Sequence, residues 1–310
     1  MWGRYIRRRL FQTAFVLWLA ATLTFLAFYF TPGDPAQTLL AASGAGPAEI
    51  AQRRAELGLD APLPVQYIRY LVNLLQGDLG QSWLHGRSVA RMIGEQLPPT
   101  IELSLAAMII GVFLGFALGI LAAIRQGTWV DTLTTTLAVV GLSTPTYWTG
   151  LLVILFFSLY LGWLPSTGDG SFQHLILPAS TLGFALAGAI ARLVRARVVE
   201  VMGRQYVLAA RARGIMPRPV LFIHILRPAI APVLTVIALQ FGFLLGGAVI
   251  TESVFARPGL GKLAIEAILW RDLPVVRGVV ILGAVVYVLV NLLADLAQAW
   301  LNPRLRDELT

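Results

Sequence analysis

Six stretches of this chain stay apolar for about 20 residues each, and that excludes most folds. A run of that length crosses roughly 30 Å of hydrocarbon as an α-helix. The runs lie near 10–30, 101–124, 133–161, 175–196, 229–250 and 276–298. Charged residues make up only 13% of the chain and hydrophobic ones 57%, outside the usage of soluble domains. The expectation is an all-α polytopic membrane protein with about six transmembrane helices.

Charge at the span ends gives the direction. Span one follows Arg4, Arg7, Arg8 and Arg9. The Arg8-Arg9-Leu10-Phe11 run has a trace of a twin-arginine export signal, and the apolar stretch behind it could be a signal peptide. That stretch is long enough to span, however, and no small-x-small cleavage site follows it, so a retained anchor is the better reading. Alternation then places the N-terminus, 125–131, 197–228 and the C-terminal tail on one side. Arg192, Arg195, Arg197, Arg204, Arg211, Arg213, Arg218 and Arg227 gather at the third of these, accompanied only by Glu200, whereas 162–174 has no Lys or Arg. The positive-inside bias predicts both termini in the cytoplasm. The net charge of +8 is thus spread over span ends rather than one soluble face, which argues against nucleic acid. With no cysteine, disulfides and thiolate sites are excluded.

Segment 31–100 is too long and polar for a simple connection. Its Pro and Gly clusters mark turns, and amphipathic helical stretches are expected near 48–57 and 65–75. Leu71, Leu74, Leu75 and Trp83 favour a small extracytoplasmic cap over a disordered linker. Thr100, two residues before Glu102, reads as an N-cap opening span two.

Enzymatic motifs are weak. His85, His174 and His224 are far apart, with no helical ligand spacing, so neither a metal site nor a catalytic residue is assigned. Pro258-Gly-Leu-Gly-Lys262 imitates a phosphate loop, but Ala256 stands where its first glycine belongs and Leu263 replaces the Ser/Thr that would bind magnesium. A glycine-rich turn into a short helix is expected there.

Polar residues within spans are candidates for a pathway. Asn291 and Asp295 share a helical face, with Gln298 nearby, in either a pathway or a pairing role. Ser143-Thr-Pro-Thr-Tyr147 should break span three, because Pro145 removes a backbone donor; Ser143, Pro145 and Tyr147 are therefore candidates. Gln240 in span five joins them, beside a small-residue face of Gly242, Gly246 and Gly247 that suits close packing or a seam that opens. No carboxylate ladder or ion cage accompanies these residues, which counts against an ion-coupled carrier. The energy must then enter from outside the chain.

The basic loop is where it could enter. Helix formers run from Tyr206 to Arg213, Gly214 permits a turn, and Pro217 and Pro219 interrupt any simple continuation. The expected form is a short helix, a turn and a second short helix along the membrane surface.

This loop resembles the "EAA" signature of ABC-importer permeases: Glu-Ala-Ala, three residues, Gly, nine residues, then Ile-x-Leu-Pro. Leu208-Ala209-Ala210 occupies the triad, Gly214 follows at the right distance, and His224-Ile-Leu-Arg-Pro228 ends the match. Leu208 for Glu and Arg227 for Pro depart from the general signature. The form Tyr-Val-x-x-Ala-Arg-Ala-x-Gly is similar to the dipeptide/oligopeptide/nickel branch. Pro32-Gly-Asp-Pro35, Leu57-Gly-Leu-Asp60, Gly77-Asp-Leu-Gly80, Thr100-Ile-Glu-Leu103, Glu252-Ser-Val-Phe255, Pro258-Gly-Leu-Gly261 and Asn302-Pro-Arg304 extend the resemblance over nearly the whole length.

The resemblance implies the first permease of a pair in a prokaryotic cytoplasmic (inner) membrane. It implies a second homologous permease, two cytoplasmic ATPase subunits that bind ATP and magnesium, and an extracytoplasmic solute-binding protein. This chain would bind no cofactor of its own. Tyr206, Ala209, Ala210, Arg211, Arg213 and Gly214 would couple it to the ATPases. The implied division is an anchor at 1–30, a cap at 31–100, a transmembrane domain at 101–301 with its coupling loop at 199–228, and a tail at 302–310. Di- or oligopeptides are the expected solutes, with nickel chelates, glutathione or oligosaccharides as alternatives on the same scaffold. An ion-coupled carrier or a docking scaffold are the competing classes.

Overall fold

The computed structural model describes residues 2–30, 33–40 and 46–301, except for the side chains at 2–6, 8–10, 38–39, 231, 235, 243, 245–247 and 293–301. The Asn302-Pro-Arg304 run and the 302–310 tail lie outside the described residues. Every named element is helical. In order they are α1 (Trp2–Tyr29), α2 (Pro35–Leu40), α3 (Pro47–Glu56), α4 (Leu63–Leu75) and α5 (Val89–Ile124). Then come α6 (Trp129–Ser143), α7 (Thr146–Val153, prolonged by a π-helical turn Ile154–Tyr160) and α8 (Phe172–Met202). The rest are α9 (Gln205–Ala212), α10 (Pro217–Pro219, prolonged by a π-helix Val220–Leu226), α11 (Arg227–Gly247), α12 (Val249–Val254), α13 (Leu260–Leu269) and α14 (Leu273–Leu301).

Among the described residues, four helical stretches are long and apolar enough to cross a membrane: Phe11–Tyr29, Val89–Ile124, Phe172–Met202 and Leu273–Leu292. The number rises to six if each of two bent pairs is one span: Trp129–Ser143 with Thr146–Tyr160, and Pro217–Ile230 with Pro232–Gly242. The helical stretches expected in 31–100 are present as α3 and α4.

Span two begins earlier than expected. Helix α5 is 36 residues long, about 54 Å at 1.5 Å per residue, and runs through Pro98 and Pro99 without ending. Thr100 is therefore inside a helix and is not an N-cap. Its hydroxyl instead accepts the Leu260 N–H at 2.9 Å, meeting one of the unpaired donors at the start of α13.

The chain divides into two compact units. One comprises 1–100 and 258–288; its core joins Val89, Met92 and Ile93 of α5 to Leu260 and Leu263 of α13 and Val275 and Val276 of α14. Buried Asp272 accepts the Trp83 N–H at 3.0 Å and the Ser82 hydroxyl, fastening the 81–88 turn. This grouping puts 258–288 with the 31–100 segment rather than with the rest of 101–301.

The other unit comprises 101–257 and, of the described residues beyond 288, 289–301; it is built around α8. Leu182, Leu186, Ile190, Val194 and Val198 form one buried stripe of that helix, at the three- and four-residue spacing of an amphipathic face. Gly111, Gly115 and Gly119 of α5, four residues apart, admit Leu186, Ile190 and Val194 of α8. A Cβ at each glycine would sit 2.6–2.9 Å from those neighbours or the α8 backbone. At Gly188 a Cβ would collide with the Ala138 carbonyl of α6. The sequence reading places a small-residue face on span five and none on this seam between α5 and α8. On span five, Gly242 does lie against Val290 of α14, its Cβ position 3.1 Å away. The surroundings of Gly246 and Gly247 lie outside what the structure describes.

Candidate functional site

Helix α8 ends at Met202, and Gly203 and Arg204 turn the chain into α9. Helix α9 sits on the core through Val207 and Ala210, three residues apart and almost wholly buried. Burying Val207 alone contributes about 2 kcal/mol. Tyr206, Leu208, Ala209, Arg211 and Arg213 are exposed. Ala210 thus faces the chain's own core, and Ala209 is the exposed alanine of the triad.

The helix closes on a Schellman motif. Gly214 N–H donates to the Arg211 carbonyl at 3.0 Å and Ile215 N–H to the Ala210 carbonyl at 3.3 Å. Gly214 has φ +78°, and a Cβ there would meet nothing within 4 Å. The glycine is required by backbone conformation alone. After it, Pro217–Pro219 passes through the π-helix directly into α11, so the expected separate second helix is the N-terminal extension of a longer one. The Tyr206 hydroxyl donates to the His224 carbonyl at 3.2 Å, bracing α9 against that extension.

Glu200 takes up two of the basic side chains, Arg197 at 2.9 Å and Arg204 at 2.8 Å. Its carboxylate, hydrogen-bonded to the Arg204 guanidinium beyond the span, holds that group above the ordinary arginine value. Arg211, Arg213 and Arg218 have no carboxylate partner among the described residues. The result is an exposed, uncompensated positive surface around the Gly214 turn.

The same region holds an ion pair that sequence reading missed. Arg195 of α8 grips Asp131 of α6 with two hydrogen bonds of 2.7 Å each, and Asp131 also accepts the Gly127 N–H at 3.0 Å. The Asp131 side chain is 10% exposed and that of Arg195 31%. A bidentate pair of this kind fixes direction as well as distance. Its signal was present: Asp131 is the sole acid of the 125–131 turn, in the first turn of α6 where the helix dipole favours an anion.

The span-three candidates fall at a real break. Ser143 ends α6, Thr144 is extended, Pro145 caps α7, and the two helices diverge by 106°. Ser143, Pro145, Tyr147 and Trp148 are all exposed there. The Thr144 hydroxyl and backbone N–H both donate to the Val140 carbonyl, at 2.7 and 3.0 Å, and such back-bonding by threonine accompanies a bend. Gln240 and Asn291, both half-buried, lie beside the crossing of α11 and α14 at Gly242 and Val290. No hydrogen bond among the described residues joins them to the Ser143 break. Asp295 lies on α14, but its side chain is outside the described residues.

Residues 115–307 match the binding-protein-dependent transport system inner membrane component, and residues 2–105 match the N-terminal membrane component of the same systems. The chain belongs to this family. It is thus an ABC-importer permease of the peptide/nickel type, a polytopic inner-membrane transport subunit whose ATPase activity resides in partner chains. This permease is 43% identical over 302 residues to the glutathione transport system permease protein GsiC of Salmonella paratyphi A, covering 97% of this chain and 98% of that one. It is 42% identical over the same length to GsiC of Escherichia coli K12. Among solved structures, the permease resembles the MetNI methionine ABC transporter in inward-facing form, with TM-score 0.58, 18% identity, and 69% and 97% of the two chains covered. An amino acid ABC transporter gives TM-score 0.53 at 19% identity, covering 69% of this chain and 94% of that one. Those two likenesses support the fold.

Proposed function

We propose that this permease forms one half of the pathway of an ATP-driven importer for short peptides, glutathione included, and that α9 with the Gly214 turn receives motion from the ATPases. Helix α9 carries the reading: it is seated on the core by Val207 and Ala210, braced by Tyr206, and presents Leu208, Ala209 and unpaired Arg211 and Arg213 outward. An element fixed to the bundle on one face and open and cationic on the other transmits a push instead of absorbing it.

The working assembly is this chain, a second homologous permease, two ATPase subunits holding ATP and magnesium, and an extracytoplasmic solute-binding protein. Both termini and the 199–228 loop face the cytoplasm, the orientation that the arginine distribution favours. The cap segment at 31–100 then faces the binding protein. ATP-driven closure of the ATPases displaces α9. That displacement passes to α8 through Val207 and Ala210 and to α11 through the Tyr206–His224 brace, rocking the spans between inward- and outward-open states. Ser143 and Tyr147, at the span broken by Pro145, supply polar surface along the path with Gln240, Asn291 and Asp295.

The peptide class rests on the 42–43% identity to glutathione permeases over nearly the whole chain. Uptake of labelled glutathione and of a labelled dipeptide by cells with and without this chain tests it. Loss of either uptake on deletion supports a peptide solute; unchanged uptake of both, with loss of nickel-chelate or oligosaccharide uptake, replaces it.

A further inference from the structure

A cavity of about 200 Å³ in the unit formed by 1–100 and 258–288 carries unpaired positive charge. Arg69, Tyr70 and Asn73 of α4 and Arg277 of α14 line it. The Arg277 guanidinium carbon lies 4.9 Å from the centre of the Phe25 ring and 5.1 Å from that of Tyr70, and those rings stack at 5.7 Å. With one face occupied by rings, a guanidinium keeps its rim for acceptors, and that is where its N–H bonds point. No carboxylate accepts from Arg69 or Arg277 among the described residues. Two donors in the wall, the Tyr70 hydroxyl and Arg277 Nε, are buried without an acceptor among those residues. The one acid in the lining, Asp78, is engaged with its own turn, accepting the Gly80 N–H at 2.8 Å.

The location of the cavity selects the anion. Phe25 is four residues from the end of α1 and Arg277 four from the start of α14, each about 6 Å from the end of an apolar span. Spans of 19 and 20 residues about match the hydrocarbon thickness, so that depth lies about one helical turn inside its headgroup edge, within reach of a long arginine side chain. Helix α4 has two faces of different character. Val65, Ile68, Val72 and Leu75 form one exposed apolar stripe along it, 44–88% exposed, while Gln66, Arg69, Tyr70 and Asn73 face the cavity. A helix with one greasy exposed face and one cationic face is built to lie in the membrane interface.

We infer that this cavity binds the phosphate of an anionic phospholipid, with Arg69 and Arg277 as the charged contacts and the α4 stripe against the acyl chains. This goes beyond the transport reading and does not depend on which solute is carried. The test is native mass spectrometry of the full chain released from phosphatidylcholine nanodiscs with and without phosphatidylglycerol. Wild type retains phosphatidylglycerol over phosphatidylcholine. Arg69→Gln lowers that retention about fivefold, the weight of one basic side chain at an anionic surface. Arg69→Gln with Arg277→Gln removes the preference. Arg91→Gln, an exposed arginine elsewhere in the same unit, leaves it unchanged. Arg69 is exposed, so its single variant folds and keeps the test valid if the double variant does not. Equal retention of the two lipids by wild type, or undiminished preference in Arg69→Gln, overturns the inference. Displacement of the lipid by millimolar inorganic phosphate overturns it too, assigning the cavity to free oxyanions.

Discussion

Glycine does opposite work in two regions of this permease. Along the α5–α8 seam, glycines at 111, 115 and 119 keep ordinary helical conformation and are needed because side chains and backbone of α8 occupy the space a Cβ would take. At Gly214 the space is empty, and the residue is needed because φ is +78°. The first kind makes helices touch, so its loss is a packing failure. The second kind makes a helix stop and turn, so its loss alters what the loop presents while the bundle stays intact. Substitutions at the seam should therefore remove protein, and substitutions at the turn should remove coupling.

The largest effect is expected at the seam. Gly188→Val would drive a side chain into the α6 backbone at Ala138, and Gly115→Leu would do the same against Ile190. Overpacking of this kind costs about 1–3 kcal/mol or more. Each variant should cut the yield of folded, detergent-stable chain severely, measured by size-exclusion fluorescence. A monodisperse Gly115→Leu with unchanged melting temperature would break the comparison from the packing side.

Next comes the Asp131–Arg195 pair, which ties α6 to α8 beside the loop. Asp131→Asn keeps the shape and removes the charge, leaving Arg195 partly buried without its anion. The expected loss is about 2 kcal/mol, read as a lower melting temperature, with a smaller loss in Asp131→Asn/Arg195→Gln than the sum of the singles. Additive losses would mean that the two side chains do not share their energy.

The turn comes third in stability and first in function. Gly214→Glu should cost about 1–2 kcal/mol for the left-handed backbone, less for Gly214→Asn, which tolerates that region. Membrane insertion should be retained in both. The smallest effect is expected from Arg211→Gln with Arg213→Gln. These exposed side chains contribute little to stability, within about 1 kcal/mol. Their loss should weaken ATPase association mainly at low salt, as removal of exposed charge does, measured by co-purification across salt concentrations.

Much of this was legible in the sequence because it depends on local periodicity. The apolar runs, α3, α4, the break at Pro145 and the helix-then-turn at Gly214 each arise from a few neighbouring residues. The features that were missed depend on partners distant in sequence. Thr100 reads locally as a cap, yet its hydroxyl is turned to Leu260, 160 residues away. Asp131 looks like a turn acid until α8 brings Arg195 to it, 64 residues on. Ala210 shows how a motif names residues without their direction: three-residue spacing from Val207 puts it on the buried face, which only the packing of α9 reveals. The four-residue spacing of Gly111, Gly115 and Gly119 is a small-residue face legible in the sequence, but the α8 side chains it admits are identified only by the fold.

The most direct test of the central claim reconstitutes the complete importer in proteoliposomes and measures ATP hydrolysis and glutathione uptake together for wild type, Gly214→Asn and Gly214→Glu. The account predicts that Gly214→Asn keeps both activities, whereas Gly214→Glu, still assembled, hydrolyses ATP without stimulation by the loaded binding protein and imports little. Wild-type uptake per ATP in an assembled Gly214→Glu complex would contradict it.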